Sequence, residues 1–225
     1  MTLLLFLCII FALLNWIAVA LANRRMEYIA KPATLILLIV WFVSRLPSDM
    51  PVIGLWFLSG LAFSLAGDIF LLFPDKHFLK GLIVFLIAHI GYVIAFNLTG
   101  PVLTLTSLFI ALVVIFIAVM ILRRLVTSLR TTNRTSMIAP VVIYAMVLSL
   151  TLWSTTCTLL RPEWPRLAGW LVTVGGALFF SSDAAIAWNR FVGPHRGGRI
   201  FEMITYHLAQ FSLSAGVLMA ITSAI

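Results

Sequence analysis

Charged residues are scarce in this sequence. Only 10% of its 225 residues are Asp, Glu, Lys or Arg, and 63% are apolar, whereas an ordinary soluble domain is about one quarter charged. Eight apolar stretches of about 20 residues, the length that crosses a bilayer, leave only short connections between them. No soluble domain fits within these residues, which excludes a tethered enzyme domain and a DNA-binding head. Any active site must therefore be built from helices in the bilayer or at its face.

Cysteine is also scarce. The two cysteines, Cys8 and Cys157, both lie in apolar runs, so neither a disulfide framework nor a zinc knuckle can be made from them. The formal net charge of +8 would suggest a nucleic acid partner for a soluble chain. Here the basic residues fall in the connections between apolar runs, where they set membrane orientation. We therefore expect no nucleic acid partner.

Apolar runs bounded by charged residues, Pro or Gly predict a single all-α transmembrane domain over residues 1–225. The predicted spans are residues 3–22, 29–44, 52–73, 79–97, 102–122, 138–160, 167–188 and 200–222. The first run ends in an A-x-A pattern, but it lacks a basic start and is followed by Arg24 and Arg25, so we interpret it as a span rather than a signal peptide.

The second predicted span is unusually short. Counted from Pro32, a favoured first helical residue, only about 13 residues precede Arg45. Two explanations are open: the bilayer is thinner at this point, or Lys31 lies below the lipid headgroups.

The basic residues predict the orientation of the chain, because short loops rich in Lys and Arg stay in the cytoplasm. Of the 15 basic residues, all but three lie in the connections 1–2, 3–4, 5–6 and 7–8 or at their edges. The exceptions are Arg45, Arg161 and Arg166. Both termini are therefore predicted to lie on the non-cytoplasmic side.

Ionisable and amide side chains inside the spans are few, and they fall in one leaflet. Asp68 is six residues before Pro74, about 9 Å from the cytoplasmic end of its helix, and Asp183 is about 10 Å from its own. The remaining members of this layer lie at similar or slightly greater depth: His89, His207, Asn15 and Gln210. Because neighbouring helices run in opposite directions, random placement would not produce this layer.

Other polar residues share a helix face with members of this layer. Ser64 lies one turn before Asp68, Tyr92 one turn after His89, and Tyr206 one turn before Gln210. One inward-facing polar pocket accounts for all of them, since polar faces pack against other helices rather than lipid. Structural interpretations also apply: a paired carboxylate, a histidine that joins two helices, or a packed tyrosine.

The order of these residues along the chain resembles the YhhN family of multipass membrane proteins. The matching positions are Lys31 and Pro32 in the second span, Gly67 and Asp68 in the third, Gly81, Phe85, His89 and Tyr92 in the fourth, Ser182, Asp183, Arg190 and Phe191 in or just after the seventh, and Tyr206 and Gln210 in the eighth. His207 departs from the pattern, because another aromatic residue is expected there.

The characterised members of that family are lysoplasmalogenases. The resemblance therefore implies a hydrolase that cleaves the vinyl ether bond of a lysoplasmalogen to a fatty aldehyde and glycerophospho-ethanolamine or -choline. It implies a lysophospholipid substrate, the lipid bilayer as the surroundings, and a multipass position in the cell membrane, with a bacterial inner membrane expected. We expect no cofactor and no metal, and the oligomeric state is left open.

Acid chemistry accounts for a pair of carboxyl groups in such an enzyme. A vinyl ether is stable to base and cleaves when its β-carbon is protonated, which gives an oxocarbenium-like species that water attacks. Two close carboxyl groups cannot easily both ionise, so one can supply the proton while the other stabilises the cation, as in glycosidases. Asp68 and Asp183 are predicted as this pair, with either as the acid.

Further residues complete the predicted site. His89 and Tyr206 are assigned with the two aspartates to catalysis. Substrate binding is assigned to eight others: Lys31, Ser64, Tyr92, Ser182, Arg190, His207, Gln210 and Asn15. Lys31 and Arg190 are first of all topology charges, but either can also hold the headgroup phosphate at the cytoplasmic face.

Three other functions remain as alternatives. A proton-coupled transporter of small solutes would also use intramembrane Asp and His, although the outer half of the spans is nearly free of ionisable groups and no inverted repeat is evident. A metal-dependent lipid hydrolase could ligate zinc with two Asp and two His, but no paired His motif lies on one helix face. A purely structural role is the third.

Overall fold

The apolar stretches fold into eight α-helices, each long and apolar enough to cross a membrane, in a computed structural model that describes residues 2–223. In chain order they are α1 (Thr2–Ala20), α2 (Arg24–Val43), α3 (Val52–Leu71), α4 (Pro74–Phe96), α5 (Leu105–Thr131), α6 (Ile138–Cys157), α7 (Arg166–Phe191) and α8 (Gly198–Ser223). Two 3₁₀ turns, Thr135–Met137 and Thr158–Leu160, flank α6. The predicted all-α multipass architecture is confirmed.

Helix α2 begins before the predicted start at residue 29, and Pro32 is not in its first turn. The helix begins at Arg24, where the side chain of Asn23 accepts a hydrogen bond from the backbone N–H of Met26, a standard N-terminal cap. It then continues through Pro32, although proline removes one backbone hydrogen bond of the helix. The helix is 20 residues long, and Lys31 lies on its buried face, only 4% exposed.

Two other helices also differ from their predicted limits. Helix α4 begins at Pro74 rather than residue 79, because proline is favoured in the first turn of a helix. Helix α5 starts at Leu105 and runs to Thr131, well beyond the predicted end at residue 122. Its polar extension remains helical because Leu125 and Leu129 are buried in a small cluster with residues of α4, α6 and α7.

Close helix contacts at glycine bring the polar faces together. A Cβ at Gly60 of α3 would lie 2.3 Å from the ring of Tyr92 on α4. A Cβ at Gly175 of α7 would lie 2.7 Å from the Leu213 side chain on α8. Since neither position leaves room for a methyl group, glycine at both is required for the observed approach.

The main apolar core lies among α2, α3, α4, α7 and α8, and it includes Phe42, Phe57, Tyr92, Phe179 and Leu213. Helix α5 lies at the periphery and exposes most of its apolar side chains, as expected of a lipid-facing helix. The polar layer therefore sits inside the bundle and away from lipid.

Candidate functional site

Asp68 forms a buried ion pair with Lys31. The Nζ atom of Lys31 on α2 lies 3.2 Å from Oδ1 of Asp68 on α3, and the phenol of Tyr206 on α8 donates a 2.7 Å hydrogen bond to Oδ2. Asp68 is 1% exposed. Because a single buried charge would cost several kcal/mol, each partner compensates the other. The ion pair connects α2 to α3, and the Tyr206 phenol connects α8 to α3.

A chain of hydrogen bonds continues from Tyr206 toward the end of the bundle predicted to be non-cytoplasmic. The amide Nε2 of Gln210 donates to the Tyr206 oxygen at 3.3 Å, and the Tyr92 phenol donates to Oε1 of Gln210 at 3.1 Å. The Ser64 hydroxyl lies 3.1 Å from the Tyr92 oxygen. Since the single proton of Tyr92 goes to Gln210, Ser64 is the donor in that contact. Four predicted site residues are thus hydrogen-bonded in one network with Asp68, and Lys31 joins that network through the ion pair.

Asp183 belongs to a second cluster. Its Oδ2 atom accepts a hydrogen bond from the Tyr144 phenol on α6 and lies 3.1 Å from Nε2 of His89 on α4. His89 is fully buried, and Asp183 is 6% exposed. No residue in the described part of the chain, 2–223, hydrogen-bonds to Oδ1 of Asp183. This oxygen is therefore available to another molecule.

The ring of Phe179 connects the two clusters. Its centroid lies 4.7 Å from that of His89 and 5.6 Å from that of Tyr206. Asp68 and Asp183 therefore have separate hydrogen-bond partners, and one partner of each packs against the same aromatic ring.

An apolar groove among α4, α5, α6 and α7 leads to Asp183. Its lining includes Phe85, Leu125, Val141, Phe180, Tyr144 and Asp183. Asp183 is the one carboxyl residue in that lining within the described part of the chain, and Asp68 does not line it. Because the rest of the wall is almost entirely apolar, the groove suits a hydrocarbon chain.

A charged vestibule opens beside the groove at the end of the bundle predicted to be cytoplasmic. It is lined by seven charged residues, namely Arg24, Glu27, Lys31, Asp75, Arg190, Arg199 and Glu202. Leu71, Phe78 and Ile186 line both the vestibule and the groove. A molecule with a polar headgroup and a single chain could therefore occupy both at once.

Arg190 lies at the edge of this vestibule. Its guanidinium is 3.3 Å from the carboxylate of Asp75, donates to the Pro74 carbonyl, and covers the Phe78 ring at 5.2 Å. Its side chain is 34% exposed and that of Asp75 is 93% exposed. An exposed pair of this kind is weak, so Arg190 can exchange its partner for a ligand anion.

The remaining predicted binding residues join helices outside these two cavities. Nδ1 of His207 accepts a 2.9 Å hydrogen bond from the indole of Trp16, and Nδ2 of Asn15 lies 3.9 Å from the Met203 sulfur. These contacts connect α1 to α8. The hydroxyl of Ser182 donates to the Glu202 carbonyl at 3.1 Å and connects α7 to α8. None of the three named binding residues lines the groove or the vestibule.

A model of the YhhN family matches residues 26–217, which is most of the chain. The chain belongs to the YhhN family. This range includes every residue of the two clusters and of the groove.

Several curated relatives are similar to this chain. The rat protein named lysoplasmalogenase TMEM86B is 31% identical over 166 residues, which are 72% of this chain and 62% of the relative. The mouse protein of that name is 31% identical over 70% of this chain and 62% of the relative. Human lysoplasmalogenase TMEM86A is 31% identical over 67% of this chain and 60% of the relative. The chain thus spans about three fifths of the length of these relatives, and no solved structure matches it.

Two residues of this YhhN protein escaped the sequence analysis. Tyr144 lies six residues after the start of α6, about 9 Å along the helix, so it was at the depth of the polar layer and could have been found there. Glu202 lies in the first turns of α8, where a charged residue ordinarily indicates only the membrane boundary. Its place in the vestibule depends on how α8 packs.

Metal ligation was one alternative for the polar layer. Within residues 2–223, no three His, Cys, Asp or Glu side chains converge as the ligands of a metal would. The two aspartates instead contact lysine, histidine and tyrosine.

Proposed function

We propose that this protein hydrolyses the vinyl ether bond of lysoplasmalogens, giving a fatty aldehyde and glycerophospho-ethanolamine or -choline, in the cell membrane. The relatives at about 30% identity are named lysoplasmalogenases. The observation that carries the proposal is the position of Asp183, a buried carboxyl group in the wall of an apolar groove that adjoins a charged vestibule.

A lysoplasmalogen has the shape that these cavities require. It carries one hydrocarbon chain, which the apolar groove can take, and one zwitterionic headgroup, which the vestibule can take. Lys31 and Arg190 supply positive charge for the phosphate. The vinyl ether joins the chain to the glycerol, so it would lie where the two cavities meet, within reach of Asp183.

Asp183 is the better candidate for the acid. Asp68 is ion-paired with Lys31, and its second oxygen is held by Tyr206, so we assign it to positioning the lysine. Asp183 has no cationic Lys or Arg partner within ion-pair distance among residues 2–223. His89 and Tyr144 fix its Oδ2 atom, which leaves Oδ1 to hold the proton and donate it.

In the proposed reaction, the proton on Oδ1 moves to the β-carbon of the vinyl ether, using the electron pair of the C=C bond. Positive charge develops on the α-carbon and the ether oxygen, and the new carboxylate stabilises it. Water adds to the α-carbon and returns a proton to Asp183. The resulting hemiacetal breaks at its C–O bond to give the aldehyde and the glycerol hydroxyl. One water molecule is consumed, and the carboxyl group is regenerated.

The test is an aldehyde-release assay on the purified protein in detergent, with lysoplasmenylethanolamine as substrate. Asp183→Asn should lower kcat by about 10² to 10⁴, as expected for the loss of a general acid. The matched control is Asp49→Asn, in an exposed connection between α2 and α3, which should keep full activity. An active Asp183→Asn enzyme would contradict the assignment.

Two further arms separate the alternatives. Loss of activity in EDTA and its recovery with zinc would indicate a metal-dependent hydrolase. Absence of aldehyde release, together with solute-driven proton flux in proteoliposomes, would indicate a transporter.

A further inference from the structure

The charges of the vestibule are almost completely paired. Four cations line it, and each lies within ion-pair distance of a carboxylate: Lys31 with Asp68, Arg190 with Asp75, and both Arg24 and Arg199 with Glu27. The two contacts to Glu27 occupy both of its carboxylate oxygens. Glu27 is therefore already committed to two cations of the protein, whereas Asp75 has one cation partner in a weak, exposed pair.

Glu202 is the exception among the acidic residues of the vestibule. It is half-buried in α8 and lines the cavity, yet within residues 2–223 no Lys, Arg or His lies within 4 Å of its carboxylate. Removing a carboxylate from water without a partner is unfavourable. A cation from outside the protein would supply the missing partner.

We infer that Glu202 binds the primary ammonium of an ethanolamine headgroup and makes the protein selective for ethanolamine over choline lysophospholipids. This inference rests on the proposed function, which places the headgroup in the vestibule. The ammonium lies only two carbons from the phosphate, so a phosphate near Lys31 or Arg190 brings the ammonium to another wall of the same cavity. A primary ammonium donates charge-assisted hydrogen bonds to a carboxylate, whereas a trimethylammonium cannot.

The vestibule lacks the surface that choline prefers. Quaternary ammonium groups are recognised by the faces of aromatic rings. Among the described residues, 2–223, Phe78 is the one aromatic residue in the vestibule lining, and the guanidinium of Arg190 already covers its face at 5.2 Å. The chemistry of the lining therefore favours a cation that can form hydrogen bonds.

The test compares lysoplasmenylethanolamine with lysoplasmenylcholine of the same chain length. The ratio of their kcat/KM values should be about tenfold or more in favour of ethanolamine, as one hydrogen-bonded charge pair supplies. Glu202→Gln should bring the ratio close to one, and Glu202→Asp should keep part of it. The matched control is Glu163→Gln, at the opposite end of the bundle near Arg161, which should leave the ratio unchanged. A wild-type ratio near one, or a ratio unaffected in Glu202→Gln, overturns the inference.

A binding measurement separates this inference from the proposed function. Lysophospholipids with a saturated 1-alkyl ether cannot be cleaved through a vinyl ether, so their Kd values report the headgroup alone. The ethanolamine form should bind about tenfold more tightly than the choline form to the wild type, and equally to Glu202→Gln. If neither vinyl ether is hydrolysed but this difference is found, the proposed activity is wrong and the ammonium site stands. If hydrolysis occurs but the two headgroups bind equally, the proposed activity stands and the ammonium site is wrong.

Discussion

The phenol of Tyr144 donates a hydrogen bond to Oδ2 of Asp183, and this contact connects α6 to α7 in the wall of the apolar groove. Together with His89 it restricts rotation of the carboxyl group. The second oxygen is thereby directed away from the protein's own donors. The proposed acid is thus positioned by a residue of a neighbouring helix.

Tyr144→Phe should lower kcat by about 10- to 100-fold, because it removes one hydrogen bond to a charged or charge-developing group. The phenyl ring keeps the packing, so the protein should remain folded. Aldehyde release measures the effect, and Tyr28→Phe is the control, since Tyr28 is exposed and lines neither cavity. Equal activities of the two variants would show that Tyr144 does not position the acid.

Solvent deuterium should appear at one defined carbon of the product. If Asp183 protonates the β-carbon, the fatty aldehyde formed in D₂O carries one deuterium next to its carbonyl carbon, because the acid exchanges its proton with solvent. Mass spectrometry of the aldehyde, trapped at once by reduction with unlabelled reagent, measures this label. An aldehyde without it would rule out protonation at carbon.

Asp68→Asn should destabilise the protein by about 3 to 5 kcal/mol, because it leaves the buried cation of Lys31 without its partner. The double variant Lys31→Met with Asp68→Asn should recover much of that loss, since no unpaired charge remains. Unfolding in mixed micelles, followed by circular dichroism, gives the free energies. Asp75→Asn serves as the control because the pair of Asp75 with Arg190 is exposed. If the losses in unfolding free energy of Asp68→Asn and Lys31→Met simply add in the double variant, the ion pair is not supported.

Arg190→Gln should raise KM several-fold and change kcat little, because a headgroup phosphate is held alike in the ground and transition states. The control is Arg196→Gln on the following loop, which is exposed and does not line the vestibule. Steady-state kinetics on one substrate distinguish the two parameters. A fall in kcat with KM unchanged would instead assign Arg190 to the chemical step.

Both termini and the connection between α2 and α3 are predicted to face away from the cytoplasm. In intact cells, Ser48→Cys in that connection should react with an impermeant thiol reagent, whereas Ser136→Cys between α5 and α6 should react only after lysis. Both positions are exposed, and the native Cys8 and Cys157 are fully buried, so background labelling is low. The opposite labelling pattern would show that both termini face the cytoplasm.

The sequence by itself was sufficient to predict the eight helices and the inward position of most of the polar layer. Long apolar runs have only one favourable structure in a bilayer, because each backbone N–H and C=O must find a partner within the segment. Helical rise then gives each polar residue a predicted depth, and it places Asp68, Asp183 and His89 in one predicted leaflet. The limits of α2 were less predictable, since capping at Asn23 and packing around Lys31 keep Pro32 inside the helix.

Only the tertiary structure decided which polar groups meet. The depth of a residue determines neither the rotation of its helix nor which helices lie beside it. The sequence therefore could not show that Lys31 pairs with Asp68. Nor could it show that His89 and Tyr144 both contact Asp183. The same limit hid Glu202. Its lack of an ion-pair partner among residues 2–223 depends on where the cations of α2, α7 and α8 are directed. Such pairings depend on contacts between helices that are distant in sequence. These contacts produce no periodic pattern in the sequence from which they could be predicted.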